Sequence, residues 1–198
     1  MFLEEPPRSD ETKRLYRNDR DGRGYELNLT HLWAWRPDVF EGFAKLRNDL
    51  TGQSALTPRE VALIVSSAAS TLGDSYCSLV WGEALAEESD GRTAAGVLRG
   101  DEPESLSARE AALVRWVRKV ARDPNGTRPE DVERLRAAGM TDREIFEATA
   151  FAAFRIAFAT VNDALGARPD KQAAEAARPK VRAAVTYGRP PETDAGEG

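Results

Sequence analysis

Leu56-Thr57-Pro58-Arg59-Glu60-Val61-Ala62-Leu63-Ile64 recurs fifty residues later as Leu106-Ser107-Ala108-Arg109-Glu110-Ala111-Ala112-Leu113-Val114. Each copy places Thr or Ser three residues before Glu. In that spacing the hydroxyl accepts from an exposed backbone N–H, and the Glu reaches back to the cap residue's own N–H. The same pairing occurs at Thr127/Glu130 and Thr141/Glu144. Apolar residues at helical spacing follow each start, and no alternating β-branched run is bounded by hairpin turns. The fold class is therefore all-α, a helical bundle with an internal helical repeat. Shared helix-start chemistry or an old duplication would each produce the repeat, and both give one architecture.

Working outward, the pattern predicts a helix from about Pro37 to Leu50. The next begins at Pro58, buries Val61, Ile64, Val65, Ala68 and Leu72, and breaks at Gly73. Asp74 can cap a further helix carrying Tyr76, Cys77, Val80, Trp81 and Leu85. A short helix is expected near Thr93–Leu98. Another from Ala108 buries Leu113, Trp116, Val117 and Val120. One from Pro129 to Ala138 stops at Gly139. The longest runs from Asp142 to about Leu165 and stops at Gly166. From Ala148 to Asn162 it is apolar nearly all round, which suits a central position. Residues 1–28 are polar and charged and read as a loose extension. Residues 29–187 form the helical domain, and residues 188–198, with Pro190-Pro191, read as a flexible tail.

The 198 residues are 41% hydrophobic and 31% charged, the composition of an ordinary globular chain. No apolar run approaches the roughly 20 residues of a membrane span. The start, Met1-Phe2-Leu3-Glu4-Glu5, lacks an apolar signal core, so a cytoplasmic location is expected. A net charge of −5 argues against nucleic acid as a partner. Lys13, Arg14, Arg17, Arg20 and Arg23 do cluster, but Asp10, Glu11, Asp19 and Asp21 interleave with them. The single histidine, His31, sits among Leu32, Trp33 and Trp35, where packing or capping suits it. It would have to serve alone in any Ser-His-Asp triad or zinc site. No cofactor and no metal are implied.

The chemistry-bearing stretch is Gly73-Asp74-Ser75-Tyr76-Cys77-Ser78-Leu79-Val80-Trp81-Gly82. If Asp74 is the N-cap, Cys77 lies in the first helical turn, where backbone N–H groups favour a thiolate. The Asp74 charge opposes this by raising a thiol's pKa. Asp74, Cys77 and Trp81 share one helix face. The residues alone leave two readings open, an activated thiol and an inert buried one. Arg155, the one charge in the apolar part of the long helix, is equally two-sided: an ion pair within the core, or a receptor for an anionic substrate. Glu60 is accounted for as a capping residue before any catalytic role.

Leu56 to Glu60 together with Cys77 to Gly82 resembles the carboxymuconolactone decarboxylase and AhpD-like alkylhydroperoxidase superfamily, in its peroxidase-related branch. Leu106 to Glu110, Lys119 to Pro124, Asp131 to Gly139 and Asp163 to Gly166 extend the likeness over roughly residues 30–170. The resemblance implies an all-α bundle that assembles as a homo-oligomer, a dimer, trimer or hexamer. It implies an antioxidant oxidoreductase that uses a C-x-x-C pair with a His and a Glu as proton relay. Cys77 matches the cysteine that attacks peroxide. Asp74 stands at the resolving cysteine, Trp81 at the His, and Ala62 at the relay Glu, with Glu60 two residues earlier. The expectation is a one-cysteine thiol peroxidase needing an external thiol reductant, with Asp74, Trp81, Glu60, Tyr76 and Arg155 around the site. A non-catalytic member binding an apolar or anionic ligand, and a decarboxylase or lactone-processing enzyme, are the alternatives.

Overall fold

The computed structural model describes residues 1–193. Among them there are eleven α-helices and no strand: α1 Asp10–Arg23, α2 Asn28–Trp33, α3 Pro37–Gly52, α4 Pro58–Leu72, α5 Ser75–Glu87, α6 Gly91–Arg99, α7 Ala108–Arg122, α8 Pro129–Ala137, α9 Asp142–Ala164, α10 Lys171–Ala176 and α11 Pro179–Ala184. The all-α expectation holds, and helix starts fall where the caps place them.

Thr57/Glu60, Ser107/Glu110 and Thr141/Glu144 form reciprocal capping boxes on α4, α7 and α9. The fourth pair does not. Pro129 occupies the first turn of α8, which moves the cap to Arg128. Asp131 accepts from the Arg128 N–H at 2.9 Å, and the Thr127 hydroxyl turns back to the Pro124 carbonyl. Gly73, Gly139 and Gly166 have φ of 76, 90 and 82°, the left-handed stops that the helix ends require.

Helix α4 is the hub and packs against α5, α6, α7 and α9. Its buried face differs in part from the expected one. Ala62, Leu63, Ile64, Val65 and Ala68 are buried, whereas Val61 is half-buried and Leu72, the last residue of α4, is 41% exposed. Leu113, Trp116, Val117 and Val120 of α7 and Phe151 and Ala152 of α9 join Ile64 and Val65 in one core. A second core joins Leu63 and Leu85 to Val97, Leu98 and Val181. Helix α9 is only half covered: Phe146 stands exposed, and Phe154 is 38% exposed beside Phe43 of α3.

The first 28 residues are more ordered than their composition suggests. Ser9 and Thr12 cap α1 reciprocally, and Leu15 is 5% exposed. The polar face of α1 dominates its sequence and hides the single buried leucine. His31 stacks on Tyr16 with ring centroids 4.5 Å apart and approaches Glu26 at 3.0 Å, a packing role as expected. The described part of the C-terminal segment is tied down. Ser75 donates to the Arg189 carbonyl at 2.7 Å, Arg189 donates to the Asp163 carbonyl at 2.7 Å, and Glu192 N–H donates to the Pro169 carbonyl at 2.9 Å. The remainder of the expected flexible tail, residues 194–198, lies outside the described residues.

Candidate functional site

Helix α5 begins as the sequence indicates. Asp74 is the N-cap, and its Oδ1 accepts from the Cys77 N–H at 2.9 Å. Asp74 is fully buried, and its Oδ2 has no hydrogen-bond partner among the described residues. Cys77 is 3% exposed and packs within the core formed by α4, α7 and α9. Burial first, then the Asp74 charge, push its thiol well above the ordinary value, while Arg155 pulls the other way. Burial likewise raises the Asp74 carboxyl above its usual range, against hydrogen bonds from Cys77 and the charge of Arg155. Asp163 is pushed up to about 6, mainly by burial and then by the Asp74 charge.

Arg155 comes down from α9 onto the thiol. Its Nη2 lies 3.4 Å from Cys77 Sγ. The guanidinium carbon sits 5.3 Å from the Trp81 ring and 5.0 Å from the Phe158 ring, a cation between two aromatic faces. No carboxylate among the described residues pairs with it, and its buried Nε has no acceptor. Of the two readings of Arg155, the ion pair within the core is therefore not formed among the described residues.

On the other side of Arg155 lies a cavity of about 380 Å³ between α3, α5 and α9. Trp81, Tyr76 and Arg155 line it. Cys77, Asp74 and Glu60 do not. Glu60 is spent elsewhere: one oxygen accepts from Thr57 N–H at 2.9 Å and the other from Arg109 at 2.6 Å. Sequence reasoning missed Phe40, Phe43 and Arg47 of α3 and Phe154 and Phe158 of α9, which also line the cavity. Their spacing was the available signal, since Phe40/Phe43/Arg47 and Phe154/Phe158 fall three or four residues apart. Asp170 is the one carboxylate in the lining, and it is occupied by Tyr76 Oη and by the Asn28 N–H at 2.7 Å.

No family model matches the chain, and no curated protein matches it. Solved structures do. An alkylhydroperoxidase AhpD core, an uncharacterized peroxidase-related protein from Ralstonia eutropha JMP134, is 23% identical with a TM-score of 0.77, over 87% of this chain and 93% of that one. An uncharacterized peroxidase-related protein from Silicibacter sp. TM1040 is 24% identical with a TM-score of 0.76, over 86% and 92%. A variant of the debrominase Bmp8 in complex with 2,3,4-tribromopyrrole is 13% identical with a TM-score of 0.70, over 92% and 95%. The chain has the AhpD-like fold, in the form found in the peroxidase-related proteins.

Proposed function

We propose that the chain is a one-cysteine thiol oxidoreductase, an antioxidant alkyl-hydroperoxidase-like enzyme that acts through Cys77. The observation carrying this reading is the contact of Arg155 with Cys77 Sγ at 3.4 Å, made by a guanidinium with no carboxylate of its own. A cation there stabilises the thiolate at the moment it forms. Asp74 takes the place of the missing His and Glu. Its raised pKa brings a carboxyl nearer neutrality, where it can accept the thiol proton and return it.

The thiolate sulfur attacks the terminal oxygen of a hydroperoxide, the O–O bond breaks, and the alkoxide leaves with the proton from Asp74. Cys77 is oxidised to sulfenic acid and the hydroperoxide is reduced to an alcohol. A small external thiol then forms a mixed disulfide with loss of water, and a second thiol releases Cys77. No resolving cysteine exists in the sequence, so the reductant is external. The burial of Cys77 and its raised pKa make the reaction slow at neutral pH. Trapping of sulfenic acid by dimedone and mass spectrometry tests the reading. A Cys77 that remains a free thiol under excess hydroperoxide overturns it.

The cavity favours a second reading, a non-catalytic member that binds a small aromatic ligand. A protein of the same fold has been crystallised with a tribromopyrrole, which is such a ligand. A decarboxylase or lactone-processing enzyme would also use Arg155, but it has less support. Of the cavity's proton-bearing side chains, Tyr76 and Asp170 are bonded to each other, and burial pushes both Tyr76 and Tyr25 upward. The homo-oligomer implied by the resemblance is supported by Phe146, 70% exposed on α9, and light scattering would test it.

A further inference from the structure

The cavity is more specific than its apolar walls suggest. Its lining holds three arginines, Arg23, Arg47 and Arg155, and one carboxylate, Asp170, already bonded to Tyr76 and Asn28. None of the three arginines pairs with a carboxylate among the described residues. Arg47 bonds only to the neighbouring Asn48 side chain, at 3.2 and 3.3 Å. Arg47 and Arg155 both line the cavity, so two cations face a common space; part of Arg47 stays in solvent, while desolvation of the rest and the Arg155 charge lower its pKa.

A guanidinium away from water needs an anion or several acceptors. Arg155 has two ring faces and one sulfur, and only one of its donors finds an acceptor. Its edge matches a carboxylate, which accepts two parallel N–H bonds. The remaining walls are apolar, aliphatic in part and aromatic where Phe40, Phe43 and Phe158 make ring contact with Trp33. Flat rings suit such walls. The volume of about 380 Å³ lies in the range of small-molecule sites. Helix α3, which supplies Phe40, Phe43 and Arg47, contains no fully buried residue and so forms a loosely held wall.

We infer that this cavity binds a one- or two-ring aromatic monocarboxylate, with the carboxylate on Arg155 and Arg47 and the ring among Phe40, Phe43 and Phe158. The inference deepens the ligand-binding side of the proposed function by naming the ligand class. It also assigns Arg155 a second duty. A carboxylate bound there competes with Cys77 for the same cation, so the occupied cavity shields the thiol from oxidation.

Isothermal titration calorimetry of the full chain with naphthoate and with naphthylmethanol tests this, since the two differ only in the charged group. Naphthoate is expected to bind at least about tenfold tighter, the effect of one charge-assisted contact. Arg155→Gln should erase the preference, and Arg155→Lys should restore part of it. Arg47→Gln, at an exposed position that does not threaten folding, should reduce the preference by about threefold. Equal binding of the two probes, no binding of naphthoate, or a preference unchanged in Arg47→Gln overturns the inference. Cys77→Ser should keep the preference while abolishing sulfenic acid formation. In the unsubstituted chain, a Cys77 that stays a free thiol under excess hydroperoxide while the preference is intact removes only the peroxidase reading. A reactive Cys77 without the preference removes only this inference.

Discussion

Arg109 Nε donates to Glu60 Oε1 at 2.6 Å, and the same arrangement is repeated in reverse: Arg59 Nε donates to Glu110 Oε1 at 2.6 Å. The arginine of each copy of the repeated segment thus binds the capping glutamate of the other copy. The two helix starts are locked side by side, which places α4 against α7. Arg109 also reaches Glu144, the capping glutamate of α9, at 2.7 Å. Three helix N-termini are joined through one guanidinium.

This lock should be measurable as coupling. Glu60 is 4% exposed, so removing it leaves Arg109 partly unpaired and α4 without its box. Glu60→Ala is expected to cost roughly 2–4 kcal/mol in urea unfolding. A double-mutant cycle with Arg109→Ala should show a coupling of about 1 kcal/mol or more. Strict additivity of the two substitutions would show that the pair is incidental.

Thiol reactivity should follow the Asp74 charge. Alkylation of Cys77 should be slow near neutral pH and rise steeply only in the alkaline range, because its thiol is raised well above the ordinary value. Asp74→Asn removes the opposing charge and keeps a side-chain cap, so the alkylation profile should move to lower pH. Reaction with hydroperoxide should not gain in parallel, since the proton carrier is lost. Parallel acceleration of both reactions would show that Asp74 only restrains the thiol.

Asp163 should make stability depend on mildly acidic pH. Its pKa rises from 3.8 to about 6 in the folded chain. Its contribution is therefore fully present below the unfolded value and is lost as pH rises through the folded one. Asp163→Asn removes this loss and should stabilise the protein at neutral pH by roughly 1–2 kcal/mol, after allowance for its partial exposure. The gain should shrink toward zero below about pH 4. Thermal melts across that range read the effect, and a gain independent of pH would point to another cause.

The junction between α2 and α9 combines the stacking of Trp33 on Phe158 with one buried hydrogen bond. Trp33 Nε1 donates to Asn162 Oδ1 at 2.8 Å, and Asn162 is fully buried. Asn162→Leu leaves the indole N–H without an acceptor and should cost about 1–3 kcal/mol by chemical denaturation. The companion Trp33→Phe should recover part of that loss when combined with it. A neutral Asn162→Leu would mean that water replaces the amide.

Much of the fold was legible because capping is local. The boxes on α4, α7 and α9 each involve residues three apart, and Gly73, Gly139 and Gly166 end helices by their own backbone freedom. Helix α1 was less legible because its polar residues outnumber the two it buries, Thr12 and Leu15. The position of Cys77 in the first turn of α5 followed from Asp74 alone.

The sequence by itself determined an all-helical chain, its main helix boundaries and the cap that holds Cys77. Only the tertiary structure decided what surrounds that sulfur. Arg155 and Cys77 are 78 residues apart, and nothing local requires them to meet. The sealing of the thiol arises where α5 packs on α4, α7 and α9, and the aromatic cavity beyond Arg155, which has no carboxylate partner among the described residues, arises between α3, α5 and α9. Such features depend on packing between distant helices, which short-range spacing does not encode.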